Sequence, residues 1–291
     1  MPIKPDTLLK VKDEKELMIF LLEALPSKSR QNIKSLLSNK QIDVNGRQQS
    51  QYNFLLRPGD EVRVKWMRDQ EVKSFKGFSI IFEDEHLIVI DKHSGVLSIA
   101  TEGERQYTAY NFLSKHVKRD NPANKIFVVH RLDRETSGLM IFAKNAEVQH
   151  KLQDNWKQLI TERTYIAVTE GVFEEKKGEI SSYLHENNVF VVFSNQNPDG
   201  GKKAVTHYEV IKSNQKYSML QVRLDTGRKN QIRVHMQDIG HSIINDKKYG
   251  STTNPIDRLG LHSRVLGFIH PMTQQPMRFV TPIPRKFIRL F

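Results

Sequence analysis

A carboxylate stands between two guanidinium groups near the middle of the chain, in Arg131-Leu132-Asp133-Arg134. A nearby cation favours the ionised carboxylate and can lower its pKa by roughly 1–3 units. Such an Asp stays anionic, which suits nucleophilic or electrostatic work and not proton donation. Asp133 lies in the polar stretch His130–Gly138, between the apolar, β-prone runs Phe127–Val129 and Leu139–Ala143. A loop held at both ends by buried strands is rigidly placed, and scaffolds present chemistry in such loops. The loop alone also allows another reading, because an Asp shortly before Thr136 and Ser137 commonly forms a turn or cap.

Three further groups of cations stand out. Arg228, Lys229 and Arg233 fall at the start of a predicted helix whose apolar side is Ile232, Met236 and Ile239 and whose end is Gly240. Positive charge there opposes the helix dipole. Free N–H groups with added cations would instead receive a phosphate or carboxylate. Lys202 and Lys203 follow Pro198-Asp-Gly-Gly in what reads as a flexible basic loop. Lys28, Arg30, Lys34 and Lys40 mark the outer face of a second predicted helix, from about Ser29.

Rival chemistries fit poorly. No metal is expected: the eleven histidines are scattered, His235 and His241 lack helical ligand spacing, and Asp84-Glu85-His86 reads as a solvated turn. No phosphate-binding Gly-x4-Gly-Lys motif and no Gly-x-Gly-x-x-Gly after a strand occurs. A glycosidase pair is compatible with the carboxylate spacing, but the basic charge argues against a neutral sugar. The net charge is +12, and it is uneven. Residues 1–75 carry +4, residues 76–200 carry −3 and residues 201–291 carry +11. That clustering points to a nucleic acid. With no cysteine, a disulfide framework and a thiolate nucleophile are excluded, which fits a reducing compartment. No apolar leader and no run long enough to span a bilayer is present, so a cytoplasmic protein without a membrane partner is expected.

The elements that must position these groups follow from periodicity. Residues 13–25 read as a helix with Leu17, Phe20, Leu21, Ala24 and Leu25 on one face, Asp13 as its cap and Pro26 as its stop. Ile42/Val44 and Val62/Val64 alternate as short strands, with a tight turn at Asn45-Gly46. Strands are expected at 80–82 and 87–90, helices at 108–118 and 146–159, and a cleanly alternating strand at 163–168. Further strands follow to about 224. The predicted fold is α+β: a small N-terminal α+β module over 1–70, a linker over 71–78, and a domain over 79–291 built on a mixed, largely antiparallel sheet.

The motifs resemble those of the RluA/RluD-type RNA pseudouridine synthases. His130-Arg-Leu-Asp-Arg-Glu-Thr-Ser-Gly138 is similar to the family's signature loop. Phe82–Gly95 resembles its opening hairpin, Arg163–Val168 its aromatic strand and Thr226–His235 its late helix. Gly240–Gly250 and the stretches at Leu261-His262 and His270-Pro271 resemble its closing segments, so the likeness covers about 78–290. The first 70 residues resemble an S-four-type RNA-binding domain through Lys28-Ser29-Arg30, Val44-Asn45-Gly46 and Pro58-Gly59-Asp60, although Glu16-Leu17-Met18 replaces the usual opening. His93 stands where the family usually has Pro, Asn230 where His is frequent and Arg163 where Lys is frequent.

The resemblance implies a pseudouridine synthase fold and a cofactor-free isomerase that converts uridine to pseudouridine, with RNA as its partner. Large-subunit ribosomal RNA is the first expectation and tRNA the second, and a monomer is expected. By the resemblance Asp133 is the nucleophile, Tyr165 stacks on the uracil, Arg233 pairs with Asp133, and Arg131 fills the gap left by the flipped nucleotide. Lys28, Arg30, Lys34, Lys202, Lys203, Arg228 and Lys229 would contact RNA. The alternative is a catalytically silent RNA-binding or ribosome-assembly factor on the same fold.

Overall fold

The computed structural model describes residues 6–38, 41–65 and 77–291, and residues 73–75 in backbone only. Lys40 and residues 71, 72 and 76 of the expected linker lie outside the described residues. The chain divides into two compact units, Met1–Glu71 and Val72–Phe291.

In the first unit, helices Leu17–Ala24 and Arg30–Ser38 bury Leu17, Leu21, Ile33 and Leu37 against Ile42, Val62 and Val64. The first helix begins later than its periodicity predicts. Lys15–Glu16 instead pairs with Leu55–Leu56, so Glu16, and not Asp13, occupies the cap position. Ser29 caps the second helix by accepting from the Asn32 N–H at 3.2 Å. The strand Ile42–Val44 turns back on Arg47–Gln48 through Asn45 and Gly46, at φ 50° and 76°. Both values are left-handed, as a two-residue hairpin turn requires.

The second unit holds a sheet of twelve strands among the described residues. Adjacent strands are antiparallel except Ser137–Ala143 beside Leu261–Ile269, which are parallel. Lys73–Phe75 already pairs with Phe78–Glu83, so part of the expected linker is sheet edge. The strand Ser137–Ala143 is buried along its whole length because both faces are covered. Helix Ala109–Asp120 packs Leu113 and Val117 over Met140 and Phe142, and helix Ala146–Asp154 packs Val148 and Leu152 over Leu139 and Ile141. The same burial explains why Ile166, Ala167, Val168 and Thr169 do not alternate in exposure. The single predicted helix over 146–159 is broken at Asn155 into Ala146–Asp154 and Trp156–Leu159. Lys202 and Lys203 are not in a flexible loop. They begin the long strand Lys202–Ser213 and pair with Leu184 and Tyr183, because strand pairing continues beyond the glycines.

Gly138 shows how tightly the sheet holds the Asp133 loop. Its φ is +113°, and a Cβ there would fall 2.1 Å from the Ser263 carbonyl oxygen. Only glycine lets the loop enter the sheet beside that neighbouring strand.

Candidate active site

Several buried polar groups fix the loop that ends at Gly138. The Thr136 N–H donates to the Asp133 carbonyl at 3.2 Å and closes a turn. Ser98 Oγ donates to the Leu132 carbonyl at 2.6 Å. Lys92, fully buried, donates from Nζ to the carbonyls of Val96 (2.7 Å), Arg134 (3.0 Å) and His93 (3.1 Å). Burial pulls its pKa down to about 7, against the pull of Glu135 and Asp133, and the three carbonyls favour the ammonium form. Arg258 Nη2 donates to Ser137 Oγ at 2.7 Å. A guanidinium can only donate, so the hydroxyl proton goes to His262 Nδ1, also at 2.7 Å, and His262 Nε2 donates to Thr281 Oγ1 at 2.8 Å. Burial holds His262 at about 4, consistent with that neutral ring.

The turn reading and the chemical reading of Asp133 therefore concern different atoms. Its main chain makes the turn, and its carboxylate faces Arg233, with Oδ2 3.4 Å from Nη1. The sequence neighbours do not serve as expected. Among the described residues neither Arg131 nor Arg134 forms an ion pair with Asp133. The cation comes from a helix 100 residues further along.

That helix, Gln231–Asp238, begins after Asn230 in left-handed conformation at φ 56°. Arg233 is clamped by Asp246, with Nε to Oδ2 and Nη2 to Oδ1 both at 2.7 Å. Nη1 also donates to Asn230 Oδ1 at 3.0 Å, and the guanidinium lies 4.7 Å from the Tyr249 ring centroid. Asn230 in turn donates to the Tyr249 hydroxyl at 2.9 Å. Burial works against the charge on Arg233, but the contacts with Asp246 outweigh it and hold the pKa raised.

Tyr165 completes the centre from the strand Ile160–Glu170, where a register shift between Thr164 and Tyr165 re-aims the side chain. Burial pushes its phenol up, while the Arg163 charge and a hydrogen bond with Ser263 pull it down. Behind it, Arg163 lies 5.8 Å from the Trp156 ring, and Trp156 packs against His130 at 5.1 Å. Burial drives His130 to about 3, and its Nε2 accepts from the Ile141 N–H at 3.0 Å, so it serves the scaffold.

Asp133, Tyr165, Arg233, Arg131, Arg228 and Lys229 line one cleft of about 430 Å³. Lys202 and Lys203 do not line it, although the Lys203 carbonyl accepts from Arg228 Nε at 3.1 Å. The helix start is less open to anions than expected, since Gln231 Oε1 accepts from the Arg228 N–H and Lys229 is paired with Glu186. Lys28, Arg30 and Lys34 belong to the first unit, where Arg30 and Lys34 are exposed. Residue types had assigned no part to Lys92, Ser137, Asp246 or His262. All four stand inside motifs already singled out, which was their only signal. Asp84, in the turn once weighed as a metal site, accepts from the His86 and Leu87 N–H groups and from His270.

Comparison with known proteins places this fold. The human RNA pseudouridylate synthase domain containing 4 structure matches at a TM-score of 0.59 and 23% identity, covering 72% of this chain and 90% of that one. The likeness identifies the fold. The family model for RNA pseudouridylate synthase matches residues 86–238. An uncharacterized RNA pseudouridine synthase of Bacillus subtilis, YjbO, is 33% identical over 253 residues, spanning 86% of this chain and 89% of its own. Ribosomal large subunit pseudouridine synthase D of Pseudomonas aeruginosa is 30% identical over 294 residues, spanning 92% and 88%. The chain belongs to the RNA pseudouridine synthase family, which makes it an isomerase acting on RNA.

Proposed function

We propose that the chain converts uridine to pseudouridine in large-subunit ribosomal RNA, with Asp133 as the nucleophile acting on a nucleotide flipped into the cleft. The observation that carries this reading is the Asp133 carboxylate itself. It is 37% exposed, 3.4 Å from a guanidinium, and in one cleft with Tyr165. The reaction breaks the bond from uracil N1 to the ribose and forms a new one from C5, with the C5 proton lost and N1 protonated. It is redox-neutral, so the chain's own acids and bases suffice. Asp133 attacks through its carboxylate, beside which the Arg233 guanidinium lies at 3.4 Å. Tyr165 offers a ring to the uracil. Because burial keeps its phenol protonated, binding is its first task and assistance to the C5 proton its second.

Extruding a nucleotide costs a few kcal/mol. Exposed Arg131 at the cleft is suited to fill the vacated position, and Arg228, Lys229, Lys202 and Lys203 to hold phosphates. We assign RNA binding also to the first unit, through Lys28, Arg30 and Lys34. Ribosomal RNA is favoured by the relative named for the large ribosomal subunit.

The direct experiment uses RNA tritiated at uracil C5. The wild-type protein releases tritium as pseudouridine forms. Asp133→Asn releases none while its RNA affinity stays within a few-fold, and full release by that variant would overturn the mechanism.

A further inference from the structure

An exposed aromatic side chain stands beside the cleft with no partner in the core. Strands Lys177–Glu186 and Val192–Asn195 are joined by Asn187-Asn188-Val189-Phe190-Val191. Asn187 shapes this tip. Its Oδ1 accepts from the N–H groups of Val189 (3.1 Å) and Val191 (2.8 Å), and its carbonyl accepts from the Phe190 N–H at 2.9 Å. Phe190 has φ +59°, a region that bulky residues rarely adopt. Its side chain gains no burial in return, for Phe190 is 71% exposed and Val189 73%. Both features oppose folding, and both present the ring to solvent.

The surroundings are cationic and continuous with the cleft. Lys229, which lines the cleft, holds its ammonium 5.6 Å from the Phe190 ring centroid. Its ion pair with Glu186 keeps it there. Lys248 donates to the Phe190 carbonyl at 3.2 Å. Next to the tip, His185 stacks on Phe193 with centroids 5.5 Å apart.

We infer that Phe190 is a stacking platform for an unpaired RNA base neighbouring the nucleotide in the cleft. This rests on the proposed RNA substrate. An aromatic ring with a cation near it offers its open face to any base, and stacking of this kind tolerates sequence. Lys229 and Lys248 stand where the phosphates beside such a base would need countercharge. A protein partner is a poorer fit, since two exposed apolar side chains ringed by lysines make far less than a standard interface. The platform would hold the strand after extrusion and so reward RNA that is single-stranded beside the target.

Binding of end-labelled poly(U), read by fluorescence anisotropy, tests this with the full chain. Phe190→Ala should weaken binding on the order of tenfold and leave the salt slope unchanged, because no phosphate contact is lost. Phe190→Trp should keep the affinity, with its added emission quenched as poly(U) is titrated. Phe190→Asn relieves the left-handed strain, so Tm should hold or rise while binding falls as in the alanine variant. Wild-type binding by the alanine and asparagine variants would overturn the inference. So would an asparagine variant that loses stability, which would make the ring structural. Failure of the isomerase reading would show separately, as absence of tritium release by the wild-type protein from C5-labelled ribosomal RNA.

Discussion

Two regions supply Arg233 with a carboxylate, and they treat it in opposite ways. In the turn before the short helix Lys247–Tyr249, Asp246 is 1% exposed and takes two 2.7 Å hydrogen bonds in a fork. In the loop His130–Gly138, Asp133 is 37% exposed and touches the same guanidinium once, at 3.4 Å. A planar guanidinium with both edge donors satisfied cannot reorient. Asp246 therefore fixes the cation and is used up in doing so. Asp133 receives the electrostatic benefit and keeps its oxygens free to form a bond. Rigidity here lies in the supporting groups and freedom in the reacting one.

The largest expected effect falls on the free carboxylate. Asp133→Asn should abolish tritium release with the fold intact. Retained turnover would erase the distinction between the two acids. Asp246→Asn should be milder. The guanidinium stays but loses its fork, and misplacement of about 1 Å costs on the order of a hundredfold in rate. Steady-state kinetics should show that loss in kcat with KM nearly unchanged, and a variant as inactive as Asp133→Asn would sharpen Asp246 into a participant.

A third test addresses the loop's own support. His262 is held at about 4 by burial, against an ordinary value of 6.5. Between those values the unfolded chain binds the extra proton and the folded one does not. Stability is therefore intact above about pH 6.5 and is lost as pH falls toward 4, by roughly 3 kcal/mol in total. Urea unfolding across that range should show the loss, and His262→Gln should make it smaller by that amount, the share of buried His130 remaining. The smallest effect concerns the first unit. Arg30→Ala with Lys34→Ala should make the logarithmic salt slope of RNA binding shallower by about 1.5, with turnover chemistry unchanged. An unaltered slope would count against RNA contact there.

Much of the sheet was readable in advance because its signals are local. The hairpin around Glu83–His86, the helix capped by Thr108 and the turn at Asn45-Gly46 each rest on residues a few positions apart. Misreadings arose where burial or pairing extended further than the local pattern. Lys202 and Lys203 joined a strand, Lys15–Glu16 displaced a helix start, and double-sided cover removed the alternation at 166–169.

The same division holds at the site. The sequence by itself determined the polar loop carrying Asp133, the basic final third, the absence of thiol chemistry and the family likeness, since these depend on residue type and order. The family likeness had named Arg233 as the partner of Asp133, and the contact is present; tertiary structure alone decided that, among the described residues, Arg131 and Arg134 form no ion pair with it, that Asp246 clamps Arg233, and that Lys92 and His262 hold the loop. It also decided that Lys229 reaches Phe190. Each of those contacts joins residues from separate elements at distances of a few ångströms. Charge and hydrogen bonding act through space, so chain proximity supplied the groups and folding chose their partners.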